Sequence, residues 1–251
     1  MGSDLRISRS NPASIRLSVV VPAYDEEERI GQTLTSIASY LQKQDFLSEV
    51  IVVDDGSQDR TSERAARALQ GMDRVRIVKL PQNLGKGAAV KEGVLQAQGD
   101  FVLFSDADLS TPIEELEKFW PWTGQGFNVI IGSRALPGAD IQVRQFFFRE
   151  LMGKTFNVLI RLFLMKGIPD TQCGFKLFRK DVAKNVFPLV EIKGFSFDAE
   201  ALYLCRRRGY NIKQVPVVWR NSRQSKVKII RSSLGMLLDL WKIKRLHRKN
   251  A

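Results

Sequence analysis

Short apolar runs that each end in acids or glycines set the strongest limit on how this chain can fold. Leu17-Ser-Val-Val-Val21, Val50-Ile-Val-Val53, Phe101-Val-Leu-Phe104 and the run 128–131 carry no charge, and Arg74-Val-Arg-Ile-Val78 adds a further strand-like stretch. Runs of this kind, rich in β-branched residues, read as strands buried on both faces. Segments of helical spacing lie between them. Ile30, Leu34, Ile37 and Leu41 mark a helix over 27–42, and Ala65, Ala68 and Leu69 mark a second, capped by Ser57 or Asp59. Residues 88–98 and a segment from about Pro112 supply two more. Strand and helix in alternation predict an α/β fold with a mostly parallel central sheet and helices on both faces. Ligands of such sheets bind beyond the carboxyl ends of the strands, and the polar clusters of the first half fall there.

Asp106-Ala-Asp108 follows the run 101–104. Side chains alternate along a strand, so i and i+2 share a face. Two carboxylates leaving a strand end together repel, and a divalent cation relieves the repulsion. Carboxylate oxygens suit Mg²⁺ or Mn²⁺, which in turn hold substrate phosphates; a solvated turn is the bland alternative. Tyr24 and Glu26 follow the first strand, where a ring and a carboxylate either hold a nucleoside or close a turn and cap a helix. Asp54 and Asp55 follow the second. One of them can accept hydrogen bonds from a base or ribose while the other braces the turn, and turn chemistry alone would account for both. Asn83-Leu-Gly-Lys-Gly87 offers backbone N–H groups and the Lys86 ammonium at a helix start, which suits phosphate. It lacks the spacing of a Walker A loop.

The second half is less regular. A helix is expected over 149–165, a loop over 170–176 that runs into a short strand, a helix over 197–207 and a strand over 214–219. Residues 1–16 read as a flexible start, 17–219 as one domain and 220–251 as a basic tail. From Arg220 onward there are ten Lys or Arg and one acid, Asp239, so ten minus one puts +9 of the formal +12 in that tail. Anionic membrane or nucleic acid would answer such charge. No nucleic-acid module appears, and aromatics do not interleave with the basic residues as a stacking platform requires. The two cysteines, Cys173 and Cys205, form no CxxC pair, which excludes a disulfide framework and a zinc ribbon. The one histidine, His247, lies in the tail, which argues against histidine-based catalysis. Residues 1–16 lack the apolar core of a secretory signal, and no apolar run is long enough for a membrane span.

The segments Val-Val-Pro-Ala-Tyr-Asp-Glu, Val-Val-Asp-Asp-Gly-Ser, Asn-Leu-Gly-Lys-Gly and Asp-Ala-Asp-Leu, in this order, resemble the inverting family 2 glycosyltransferases of the Rossmann-like GT-A fold. Gly132-Ser-Arg134, Asp170-Thr-Gln-Cys-Gly-Phe-Lys176 and Phe195-Ser-Phe-Asp-Ala-Glu200 extend the resemblance toward the polyprenyl-phosphate sugar transferases, with the dolichyl-phosphate glucosyl branch nearest. The resemblance implies a nucleotide-sugar donor, UDP-glucose before GDP-mannose. It implies that Pro22, Tyr24, Glu26 and Asp54 line the nucleoside pocket. Asp106 would lie near the ribose and metal, and Asp108 would bind the metal directly. Mannosyl relatives often place a Gln where this chain has Ser110, which leaves the complete metal shell open.

The acceptor decides what else such a site needs. A lipid phosphate is largely dianionic at neutral pH, with a second pKa near ~6, and is already a nucleophile. It needs cations, for which Arg134 and Arg149 are the candidates. A saccharide hydroxyl would need a base, for which Asp198 is the candidate; the bland role for Asp198 and Glu200 is that of acids at a helix N-terminus. In the tail, Ile230, Leu234, Leu237, Leu238 and Trp241 form a stripe beside cations, the pattern of a helix lying in a membrane interface. Packing on the domain, or pairing of two protomers, is the alternative. Phe146-Phe-Phe148 and the stretch 159–165 would face lipid or the core. The expected location is the cytoplasmic face of a membrane, as a peripheral protein or a piece of an integral one.

Overall fold

This computed structural model describes residues 14–143, 157, 159–160, 163–220 and 229–248. Arg149, Phe146-Phe-Phe148 and most of the helix expected over 149–165 lie outside the described residues. Strands β1 (Leu17–Ala23), β2 (Ser48–Asp54), β3 (Val75–Lys79) and β4 (Phe101–Ser105) are parallel neighbours in the order β3-β2-β1-β4. Helices α1 (Ile30–Leu41), α2 (Thr61–Ala68) and α3 (Lys86–Gln96) connect them. Ile15 and Arg16 belong to this body, because Asp100 and Phe101 donate backbone N–H groups to their carbonyls at 3.0 and 2.9 Å.

Pro22, expected in a loop, is the buried sixth residue of β1. Pairing with β4 stops at Val20, whereas pairing with β2 runs on to Ala23. Proline's missing N–H is therefore tolerated where the strand is paired on one side only. Helix α1 starts at Ile30 rather than at residue 27, because the Arg29 and Ile30 amides both close onto the Glu26 carbonyl. The segment after Pro112 is a 3₁₀ turn (Ile113–Lys118) and then a short α4 (Trp120–Thr123), with Pro121 opening the second piece.

The main departure from a parallel sheet is β7 (Phe175–Arg179). It lies between β4 and β5 (Val129–Ser133) and runs antiparallel to both. Its beginning, not its end, therefore stands at the carboxyl edge of the parallel strands. The strand expected over 214–219 is two strands: β8 (Ile212–Pro216) pairs β5, and β9 (Val218–Arg220) pairs the unforeseen β6 (Asp140–Val143) in a separate ribbon. After β7 come α5 (Lys180–Val186), a 3₁₀ turn (Phe187–Leu189) and α6 (Phe197–Arg207); α7 (Ile229–Leu246) follows β9.

Two apolar layers flank the sheet. Val20, Ile51, Val53, Val102 and Phe104 face α3, α5, α6 and the end of α7, while Val19, Val21, Val50, Val52 and Leu103 face α1 and the 3₁₀ turn. The alternation within each strand explains the unbroken apolar runs, since both faces are covered. Close packing of α3 on β1 depends on Gly93, where a Cβ would meet Val20 Cγ1 at 2.4 Å and Val53 Cγ2 at 3.0 Å. Both valines are fully buried and have nowhere to move. Gly93→Ala gains up to about 1 kcal/mol of helix propensity but overpacks the core by about 1–3 kcal/mol. A net loss of stability, read as a lower urea midpoint at unchanged slope, is expected.

Candidate active site

The carboxyl edge of β1, β2 and β4, together with the start of β7, gathers most of the polar residues singled out in the sequence. Strand β4 ends at Ser105, and Asp106 begins a turn closed by the Leu109 amide on the Asp106 carbonyl at 3.2 Å. Asp106 and Asp108 therefore lie in one turn rather than on one face of the strand. Leu109 holds φ +45°, a strained value for a residue with a branched side chain. Asp108 Oδ1 accepts the Ser110 amide at 2.9 Å, and its Oδ2 lies 4.0 Å from Arg29 Nη1. Asp106 is approached more closely. A Cβ on Gly174 would stand 1.9 Å from Asp106 Oδ2, and the Asp106 amide donates to the Gly174 carbonyl at 3.0 Å. Only glycine at the start of β7 leaves room for this carboxylate.

Helix α3 begins two residues earlier than its apolar spacing suggests, so Lys86 is its first residue. The Lys86 ammonium lies 2.6 Å from Asp106 Oδ1. That oxygen is buried and takes no aligned hydrogen bond. Burial alone would depress the lysine, but Asp106, Asp198 and Asp108 outweigh it and hold its pKa above the ordinary value. Lys176, only 1% exposed as the second residue of β7, is the residue that sequence reasoning left without a role. Its ammonium donates to Asp198 Oδ1 and to the Cys173 carbonyl, both at 2.5 Å. The signal was available: a lysine within the otherwise apolar run of Phe-Lys-Leu-Phe is costly to bury unless it is paired. Burial raises the Asp198 carboxyl, with Lys176 and Lys86 opposing that shift, and the balance stays above the ordinary aspartate value. The Phe104 ring lies 5.2 Å from Lys86 Nζ and 5.6 Å from Lys176 Nζ.

Asp54 and Asp55 are turned inward. Asp54 accepts the Ser57 amide at 2.8 Å and the Ser62 hydroxyl. Asp55 accepts the Leu84 and Gly85 amides, both at 2.8 Å, and so ties the glycine-rich loop to β2. Burial raises the Asp55 carboxyl, and those two amides pull it back. Both acids thus brace the chain that follows them, Asp54 the turn at Ser57 and the start of α2, and Asp55 the glycine-rich loop. Glu26 pairs with Arg29, and its amide donates to Thr61 Oγ1 at 2.7 Å. Tyr24 is 39% exposed at the same edge.

Arg134 does not stand ready as a phosphate cation. Its Nε and Nη2 grip Asp170 at 2.8 Å each, its amide adds a third bond at 2.9 Å, and its guanidinium lies 5.4 Å from the Trp219 ring. A guanidinium so paired keeps little capacity for a second bidentate anion. Burial alone would raise the Asp170 carboxyl, but Arg134 holds it down to about 2.

Among the described residues, no three His, Cys, Asp or Glu side chains converge to hold a metal by themselves. The donor set still fits a hard divalent ion. Asp106 offers a buried carboxylate oxygen that lacks a hydrogen bond, and Asp108 offers a second carboxylate. Mg²⁺-type ions are commonly held by one or two carboxylates, with substrate phosphates completing the shell.

Residues 18–187, more than half of the chain, match the profile of Glycosyl transferase family 2. The chain belongs to that family. Dolichyl-phosphate beta-glucosyltransferase of Homo sapiens is 37% identical over 90% of this chain and 74% of its own length. The protein of the same name from Dictyostelium discoideum is 34% identical over 95% of this chain and 80% of its own. Glucosyl-3-phosphoglycerate synthase from Mycobacterium tuberculosis, solved with Mn²⁺, UDP-glucose and glycerol 3-phosphate, superposes with a TM-score of 0.63 at 24% identity, over 90% of this chain and 80% of that one. Mannosyl-3-phosphoglycerate synthase from Rubrobacter xylanophilus superposes at 0.69 with 18% identity, over 94% of this chain and 75% of that one. The family 2 chain is a glycosyltransferase of GT-A fold, as its ordered motifs imply.

The Arg134–Asp170 pair carries a pH signature. A carboxyl depressed in the folded state contributes stability above its unfolded pKa of about 3.9, and that stability is lost as pH falls through about 2. Asp170→Asn leaves Arg134 without its partner and is expected to cost about 3–5 kcal/mol. The same substitution should remove the share of acid destabilisation that the wild type shows below about pH 4. Urea unfolding at a series of pH values checks both.

Proposed function

We propose that this glycosyltransferase moves glucose from UDP-glucose to dolichyl or another polyprenyl phosphate at a membrane surface, with inversion and with a divalent ion. One observation carries the choice of acceptor. Asp198, the acid best placed in the sequence to act as a base, is 3% exposed and bound to the Lys176 ammonium. A base must reach the proton that it removes, and this carboxylate is already engaged. An acceptor that arrives deprotonated, as a phosphate does, needs no such base. The names of relatives that share 33–38% identity with this chain over most of its length agree with that reading. The Mn²⁺ and UDP-glucose of a fold neighbour set the first metal and donor to try.

Asp106 and Asp108 would hold the ion, which supplies a Lewis acid for the departing diphosphate. Lys86 neutralises Asp106 before the donor arrives and lies at the start of α3, where the helix dipole favours phosphate oxygens; the neighbouring amides are already taken, those of Leu84 and Gly85 by Asp55 and those of Gly87 and Ala88 by the Lys193 carbonyl. Tyr24 and Glu26 remain the candidates for the nucleoside. Asp54 and Asp55 act through the loops that they brace. Phe195, 37% exposed and 6.0 Å from Lys86 Nζ, gives the mouth of the site an apolar wall. Arg134 contributes by fixing the loop after β5, and Arg149 remains a candidate cation for the acceptor.

The membrane side of the reading rests on α7. Leu240, Ile243 and His247 are buried against the domain, whereas Leu238 is 72% and Trp241 65% exposed, with Arg245 stacked 5.2 Å from the Trp241 ring. Of the apolar stripe expected in this helix, Leu238 and Trp241 face outward; the side chains of Ile230, Leu234 and Leu237 lie outside the description. No described helix is long and apolar enough to cross a membrane.

A donor panel with dolichyl phosphate tests the chemistry. UDP-glucose should label the organic phase, GDP-mannose should not, and EDTA should abolish the label. Asp106→Asn and Asp108→Asn should each lower turnover by about 100-fold or more, since a Lewis acid is worth several kcal/mol. Label from GDP-mannose alone, or full activity in EDTA, would overturn the reading. Trp241→Ala and Leu238→Ala should each weaken sedimentation with anionic vesicles by about tenfold, the equivalent of burying one large apolar side chain, and leave thermal stability unchanged.

A further inference from the structure

We infer that His247 is a positioning residue for the glycine-rich loop at Lys86, acting through Glu200 and the segment 191–194; the link to catalysis rests on that loop binding the donor phosphates. His247 is 3% exposed, and its Nε2 lies 2.7 Å from Glu200 Oε1. A ring N–H can donate and a carboxylate oxygen can accept, so the pair can form one hydrogen bond. Glu200, fully buried on α6, uses its other oxygen to hold the backbone amides of Glu191 at 3.0 Å and Ile192 at 2.7 Å. One carboxylate thus ties the end of the tail helix to the start of the 191–194 segment.

That segment then clamps the loop. The Lys193 carbonyl accepts the Gly87 amide at 2.7 Å and the Ala88 amide at 3.3 Å. The contact leaves no slack: a Cβ on Gly85 would stand 2.4 Å from the Lys193 oxygen, and one on Gly87 would stand 2.4 Å from the Ile192 oxygen. Lys86 lies between those two glycines, with its ammonium on Asp106. A displacement of 191–194 must therefore move the backbone that aims Lys86. A second strut runs from Arg207 Nη1 on α6 to the His247 carbonyl at 2.6 Å. Helix α7, whose outer side exposes Leu238 and Trp241, is in this way wired to the start of α3 by hydrogen bonds rather than by apolar contact alone.

The full chain is compared as wild type, His247→Ala, His247→Gln and Ile37→Ala. Ile37 packs on the opposite face of the sheet, so its variant controls for lost stability alone. Hydrogen exchange of the 86–89 amides is measured by mass spectrometry, with the Leu84 and Gly85 amides held by Asp55 as reference. Binding of UDP with Mn²⁺ is measured by calorimetry. His247→Ala should speed exchange at 86–89 by about tenfold, leave the reference amides unchanged and weaken UDP binding several-fold. His247→Gln, which keeps an N–H donor, should restore much of both. Exchange at 86–89 that is unchanged, or raised no more than in Ile37→Ala at a matched fall in Tm, overturns the inference, as does faster exchange with unaltered UDP binding. A wild type that binds no UDP overturns the donor reading instead, and the exchange result still decides whether His247 holds the loop.

Discussion

The close approach of β7 to the end of β4 is the constraint on which the rest of the site depends. An antiparallel strand inserted between two parallel ones delivers its first residues to the carboxyl edge. Gly174 there leaves space that Asp106 fills, and Lys176 enters the sheet one residue after Phe175. The result is a compact arrangement of two ammonium groups, Lys86 and Lys176, and two carboxylates, Asp106 and Asp198, beside the Phe104 ring. Isolated, any of these charges would be costly to withdraw from water. Together they are neutral, and each is held by a partner within 2.6 Å.

Neutrality has a chemical consequence. A nucleotide sugar bears a charge on each of its two phosphates, and a divalent ion cancels them. A metal-bound donor therefore adds little net charge to a site that is already balanced. If the ion binds as proposed, what would change is the distribution, since Asp106 would share its oxygens between Lys86 and the ion. The ammonium, held less tightly, could then also reach phosphates at the start of α3. A cluster that rearranged in this way would store no uncompensated charge in either state, which is the condition for electrostatic stabilisation without large reorganisation.

Much of this was legible in the sequence, for a physical reason. Strands β1, β2, β4 and β5 are buried on both faces, so their local composition alone announces them, and the acids that follow them mark the binding edge. The insertion of β7 is not local: its place is set by pairing with β4 and β5, which are distant in the chain, and its four buried residues resemble any short strand. Position alone marks Asp54 and Asp55, but their partners, Ser62 at the start of α2 and the amides at 84–85, come from later in the chain. The sequence makes Arg134 a candidate cation for the acceptor phosphate, and nothing near it in the chain names Asp170 as its partner. His247 was set aside for lying in the tail, and only the fold brings it to Glu200.

Helix α7 shows why an apolar stripe does not by itself say which side a helix buries. Leu240, Ile243 and His247 follow one another at helical spacing and form the docking side; Leu238 and Trp241 lie off it. A helix with apolar residues on two sides satisfies one of them by packing on its own domain. The other, left in water, is a standing cost unless something apolar covers it, and with Lys242, Lys244 and Arg245 exposed or half-exposed around it, an anionic lipid surface is the covering that the charges favour. The two readings of the tail, packed helix and membrane helix, are therefore not rivals. The docked side fixes the helix to α6, and the open side leaves Leu238 and Trp241 available to a surface that would not have to draw the helix away from its domain.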